Sequence, residues 1–117
     1  MRNLQEIINL DDRIFAVLYI NSNGKILNSF FSDKHKIDDE IIKYISKNLF
    51  INNYKSDLLG NRLWDILEFD NIRITRIHEL DKVVIVLSKS NLRPEEVSEI
   101  IIDYWCEMNS NDPESLF

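Results

Sequence analysis

Two runs limit everything else this chain can do: Ile14-Phe15-Ala16-Val17-Leu18-Tyr19-Ile20 and Val83-Val84-Ile85-Val86-Leu87, apolar or aromatic at every position. Short runs of this kind read as strands, and a strand apolar on both faces cannot lie against water on either side. Both runs therefore belong in the middle of a sheet, covered above and below. The first continues through Asn21-Ser22-Asn23-Gly24 into Lys25-Ile26-Leu27 and Phe30-Phe31. Asn and Gly tolerate the positive φ of a tight turn, so 14–31 reads as a β-hairpin.

The remaining elements follow in order. Asn3, with Glu6 three residues on, has capping-box spacing ahead of Leu4, Ile7 and Ile8, which predicts a helix of two turns at most. After the hairpin and the polar link Ser32-Asp33-Lys34-His35-Lys36, Asp38 or Asp39 can cap a second helix. Its apolar positions, Ile41, Ile42, Tyr44, Ile45, Leu49, Tyr54, Leu58 and Leu59, recur at helical spacing and predict one long helix ended by Gly60. Phe50-Ile51-Asn52-Asn53 fits that pattern worst and marks where a kink or break would fall.

From Arg62 the period changes to two. Leu63, Asp65, Leu67 and Phe69 share one face of a partly exposed strand, with Trp64, Ile66 and Glu68 on the other. Asp70-Asn71 turns into Ile72–His78, in which Ile77 falls opposite in phase to Ile72 and Ile74 unless a bulge intervenes. Leu80-Asp81 turns into the second apolar run. Pro94 and Glu95-Glu96 suit the first turn of a last helix with the stripe Val97, Ile100, Ile101, Tyr104, Trp105 and Met108.

The two apolar strands must be central and adjacent, and hairpin links then place their neighbours. The expected fold is α+β: a five-stranded antiparallel sheet of order 2-1-5-4-3, with the first and last helices on one face and the middle helix on the other. At 117 residues and 44% hydrophobic, the chain suits a single domain. Residues 1–108 are expected to form it, with 109–117 a polar tail.

A net charge of −6 disfavours nucleic acid as a partner, since that affinity comes largely from Lys and Arg displacing counterions. Cys106 is the only cysteine, so no disulfide framework or cysteine zinc motif exists and a reducing, cytoplasmic setting is the simplest expectation. No apolar stretch approaches the ~18–20 residues that cross a bilayer, and Met1-Arg2-Asn3-Leu4-Gln5-Glu6 lacks a signal-peptide core, so no membrane insertion is expected.

The order of elements, the opening strand running into Asn-Ser-Asn-Gly-Lys-Ile-Leu, and the closing Lys-Val-Val-Ile-Val-Leu-Ser-Lys-Ser-Asn together resemble the roadblock/LC7 domain, a relative of the longin and profilin-like folds. The resemblance spans about residues 3 to 108 and lies in the succession of its motifs. Asn21 replaces the aspartate usual at the opening turn, and Ile, Lys and Asn replace small helix residues, as in a divergent, archaeal member. The resemblance implies a protein-binding module without catalysis or cofactor. It implies a homodimer or roadblock heterodimer built on the middle helix and third strand, serving a small Ras-like GTPase. Carried onto this chain, the interface is Tyr54, Leu58, Trp64, Ile66 and Phe69. The residues add support of their own, because an edge strand bearing Trp64, without Lys or Pro to block pairing, invites β-addition. The alternatives are Trp64 as cover for the middle helix within a monomer, a PAS-like or profilin-like small-molecule sensor, and a monomeric longin-like assembly domain.

The reactive side chains carry weaker signals. His35 and His78 lack metal-site spacing, and His78-Glu79 near Asp81 reads as a solvated turn rather than a base with its orienting carboxylate. Cys106 reads as half-buried filler, and Asp38-Asp39-Glu40 as a helix start. Arg62, Arg73 and Arg76 read as a solvated face or as partners of Glu68 and Glu79. With Gly24 and Gly60 the only glycines, no Gly-rich phosphate loop supports nucleotide binding.

Overall fold

A computed structural model describes residues 3–50, 55–56, 58–90 and 96–110. Strands β1 (Ile14–Asn21), β2 (Ile26–Phe31), β5 (Trp64–Glu68), β6 (Ile72–His78) and β7 (Lys82–Lys89) form one antiparallel sheet in the order β2-β1-β7-β6-β5, as the two apolar runs require. Helices α1 (Leu4–Ile7) and α3 (Glu96–Ser110) lie on one face and α2 (Asp39–Asn48) on the other. Two minimal strands, β3 (Lys55–Ser56) and β4 (Gly60–Asn61), pair only with each other.

The sheet separates two apolar clusters. On one side Ile7, Val97, Ile101, Ile102 and Trp105 pack on Ile14, Val17, Ile77, Val84 and Val86. On the other, Ile45 and Leu49 pack on Ala16, Leu18, Ile20, Ile74, Val83, Ile85 and Leu87. The alternation along β7 feeds both clusters, and each such side chain fully buried is worth about 1.5–3 kcal/mol. The register of β1 against β7 shifts between Ile14 and Ala16. This bulge puts Phe15 and Ala16 on the same face and restores Ile14 to the α1/α3 side. No such shift occurs in β6, so Ile77 faces opposite to Ile74 and the strand is covered on both sides.

The expected turn chemistry is present. The Asn21 side-chain oxygen accepts from the amides of Asn23 and Lys25, at 2.9 and 3.0 Å, and Gly24 takes φ +83°. Asp38 caps α2 by accepting from the Glu40 amide at 3.0 Å, and Asn3 caps α1 through the Gln5 amide. Glu6 does not complete a capping box; its carboxylate accepts from the Tyr104 hydroxyl at 2.8 Å and ties α1 to α3.

The middle helix is shorter than its apolar spacing predicts. It stops at Asn48, with Leu49 leaving helical geometry at φ −115° and ψ 5°. The carbonyl of Leu49, which a longer helix would offer to a later amide, instead accepts from Arg76 at 3.1 Å. Gly60 has the expected positive φ, +87°, but it follows the turn of the β3–β4 ribbon rather than capping a helix. In α3, Ile102 is buried where the stripe placed Ile100, which is exposed. Pro94, Glu95 and the polar tail from 111 onward lie outside the described residues. Among the described residues no helix is long and apolar enough to cross a membrane.

Candidate protein interaction site

β5 has a sheet neighbour on one side only, β6. The amide of His78 donates to the Leu63 carbonyl and that of Phe69 to the Ile72 carbonyl, both at 2.9 Å, so the odd-numbered positions of this strand bond to β6. In an antiparallel ladder the alternate residues then turn their amides and carbonyls outward. Those residues are Trp64, Ile66 and Glu68. They offer a regular, proline-free edge with unbroken register to β6.

Side chains along this edge project to both sheet faces. Trp64 pairs with Ile77 and Ile66 with Thr75, and both partners belong to the α3 side, where Thr75 Oγ1 and Ser98 Oγ share a buried hydrogen bond of 2.6 Å. Trp64 is 43% exposed and lies on the face opposite α2, so it is not the cover of the middle helix. Asp65 and Leu67 point to the α2 face. Phe69 is exposed and lines an apolar groove of about 370 Å³ with Ile41, Tyr44, Ile45, Ile72 and Ile74. Leu58 stands at the tip of the β3–β4 ribbon, almost wholly exposed. Of the sequence-derived set, Trp64, Ile66 and Phe69 follow the β5 edge without sharing one face, and Leu58 stands apart on the β3–β4 ribbon. Tyr54 lies outside the described residues.

An ion cluster under the edge holds it in place. Asp65 accepts from Arg76 Nε and Nη2, each at 2.6 Å, from Arg62 Nη1 at 3.2 Å, and contacts His78 Nε2 at 3.2 Å. Burial by itself would raise the Asp65 pKa; hydrogen bonds from His78 and Arg76 outweigh it and hold the carboxyl well below the usual carboxylate range. Arg76 also takes the Leu49 carbonyl, so one guanidinium joins the end of α2 to the edge strand. On the other face, buried Arg73 donates to Glu68, which the hydrogen bond lowers in pKa.

These arginines correct the sequence reading in part, since Arg73 has the expected partner Glu68. Arg73 and Arg76 are 1% and 3% exposed, not solvated, and Arg76 pairs with Asp65 rather than Glu79. Glu79 accepts from the Tyr19 hydroxyl at 2.7 Å. His78, expected in a solvated turn, has its side chain 2% exposed and joins the Asp65 cluster. A signal for these pairs exists in the sequence: about the turn Asp70-Asn71, Glu68 is equidistant with Arg73 and Asp65 with Arg76, so a hairpin places each pair directly opposite.

His35 rests edge-on against Phe15 and contacts the Asp12 carbonyl through Nε2 at 2.8 Å. Cys106 is half-buried, and burial, with Asp103 nearby, raises its pKa and keeps it a thiol. Among the described residues no group of His, Cys, Asp and Glu gathers as a metal site.

No family model and no curated protein sequence matches the chain. Solved structures do resemble it. MglB with a tetrameric arrangement aligns with TM-score 0.66 and 11% identity over 97% of this chain and 87% of that one. MglC from Myxococcus xanthus gives 0.65 and 8%, over 93% and 95%. A Roadblock/LC7 domain from Streptomyces avermitilis gives 0.60 and 10%, over 94% and 98%. The likeness is one of fold, and the fold is roadblock/LC7-like.

Proposed function

We propose that this chain is a non-catalytic protein-binding module that pairs with a second copy through β5, with α2 alongside, and presents the joint surface to a protein partner. The observation that carries this reading is the β5 edge, where Trp64, Ile66 and Glu68 turn backbone donors and acceptors outward beside exposed Leu63, Trp64 and Phe69. Such an edge is a template for another strand. The Asp65–Arg76 clasp supports it, because a strand fixed before association loses less freedom on binding. MglB, one of the proteins with this fold, is described in a tetrameric arrangement. Following the resemblance, the partner is a small Ras-like GTPase, with a roadblock heterodimer the variant of the same scheme and a cytoplasmic setting. The module holds that partner by contact alone and needs no cofactor.

Light scattering tests the pairing. The native chain is expected as a dimer and Trp64→Arg as a folded monomer, because the charge enters the joined edge while the side chain it replaces is already half in water. A native monomer would sink this reading and shift weight to a longin-like assembly role. Capture of the nucleotide-bound but not the nucleotide-free form of a purified small GTPase by the dimer is the expected sign of the second step.

A further inference from the structure

The least explained apolar surface lies just ahead of β5. Leu58 and Leu59, at the tip of the β3–β4 ribbon, are 95% and 90% exposed. Turn tips usually carry Gly, Asn, Asp or Ser, and adjacent large side chains this exposed mark a contact surface more often than chance. A Cβ built on Gly60 meets nothing within 4 Å, so the base of the tip also stands clear. An apolar groove lies past the far end of β5, between α2 and the β5–β6 turn, with Ile41, Tyr44, Phe69 and Ile72 in its walls. Tip and groove do not meet within one copy, since the leucines remain in water.

We infer that Leu58-Leu59 of one copy seats in this groove of a second copy, so that reciprocal leucine anchors close the pairing of the β5 edges. The inference rests on the β5 pairing proposed above. Its warrant is register. Outward positions Trp64, Ile66 and Glu68 are symmetric about Ile66, so a two-fold antiparallel pairing sets Ile66 on the axis and Trp64 against Glu68 of the other copy. Continuing outward, exposed Leu63 falls opposite exposed Phe69. The chain preceding Leu63 then runs past the β5–β6 turn of the second copy, beside the groove. Leu59 is five positions before Trp64, a reach of roughly 16 Å at ~3.3 Å per residue. The two-fold makes each contact twice, with the same patches on both copies.

Area agrees with that occupant. Leu58, Leu59, Leu63, Trp64, Phe69 and Tyr44 leave on the order of 600 Å² exposed, mostly carbon, against the ~800 Å² each partner of a standard interface buries. The edge strand alone, five residues long, would expose much less.

Two measurements test the inference. Sedimentation compares native chain with the double variant Leu58→Ser, Leu59→Ser, whose side chains are too exposed to matter to the fold. The expected result is a native dimer and a double variant whose dimer is weaker by roughly 100-fold. In a Cys106→Ser background, chains carrying Leu59→Cys are mixed with chains carrying Tyr44→Cys and treated with a short bismaleimide. The expected product joins residue 59 of one chain to residue 44 of the other. A native dimer that the serines leave unweakened, with no 59–44 product, overturns the leucine anchors and leaves the β5 pairing standing. A native monomer overturns both.

Discussion

β2 and β5 are both edge strands, and each is entered past a glycine of positive φ, yet the rest of the chain engages them differently. At β2 the turn is packed into the monomer: Gly24 lies under α2, where an added Cβ would meet the Ser46 carbonyl oxygen at 2.8 Å and the Phe50 ring at 3.2 Å. The β2 register shifts near Tyr19, its middle is Asn28-Ser29, and its exit is tied back by the Ser32 amide to the Phe15 carbonyl at 2.9 Å. At β5 the register is unbroken, and the ribbon leading into it ends in exposed leucines. Exposed apolar area does not separate the two edges, since Leu27 and Phe31 of β2 are exposed as well. Regularity does: a bulge and a polar centre blunt one edge, while the other offers alternate donors and acceptors in step.

Proline in each edge gives the largest contrast. The Ser32–Phe15 bond sets the even positions of β2 toward β1, so Ser29, like Ile66, turns its amide outward. At either position proline removes an amide that no strand of the same sheet uses, and the fold should tolerate it. Ile66→Pro is expected to weaken association at least 100-fold by light scattering. Ser29→Pro should leave the mass unchanged; the reverse outcome would move the interface to β2.

Ion pairs of equal length on the two sides sharpen the comparison next. Arg76–Asp65 near β5 and Lys34–Asp12 near the end of β2 both have N···O distances of 2.6 Å. The Arg76 side chain is 3% exposed, whereas Lys34 and Asp12 are 65% and 87% exposed. Asp65→Asn leaves a buried guanidinium without its anion and should cost about 3 kcal/mol in urea unfolding. Asp12→Asn should give no measurable change. The sign with pH follows from the depressed Asp65 value: its contribution is complete above the unfolded carboxylate pKa, near ~4, and is lost as pH falls from there through the folded value. Acid titration of stability should therefore be shallower in Asp65→Asn than in the native chain below about pH 4.

Such contrasts also mark what the residues disclosed beforehand. Strand order and the cover on both faces follow from the two apolar runs and the short turns at 21–24, 70–71 and 80–81, because local links leave few ways to bury both strands. The end of α2 is legible only in part: Phe50-Ile51-Asn52-Asn53 marks where a break would fall, and the helix stops just before it, at Asn48, but Tyr54, Leu58 and Leu59 keep the helical pattern going, and periodicity says nothing of a distant arginine that claims the Leu49 carbonyl. Of the two arginine readings, a solvated face or partners of Glu68 and Glu79, the Arg73–Glu68 pair holds, whereas the burial of both arginines and the Arg76–Asp65 pair appear only once the hairpin register is drawn, since arginine rarely lies inside unless paired. At the candidate site, the edge position of β5 is readable from the hairpin links that set the strand order. The opposed projection of Trp64 and Phe69 is contained in the period-two pattern.

The glycines supply the finest distinction. Both have φ values that a side chain adopts only with strain, +83° at Gly24 and +87° at Gly60. Alanine at Gly60 meets open space, so it should cost only the left-handed conformation, about 1 kcal/mol. Alanine at Gly24 adds a contact with a backbone oxygen that cannot swing aside, so α2 or the turn must shift, and the loss should be about 2 kcal/mol. The difference would be read in urea midpoints at unchanged slope. Equal losses would mean that α2 yields easily at Ser46, and the packed β2 turn would then be no more committed to the monomer than the open ribbon ahead of β5.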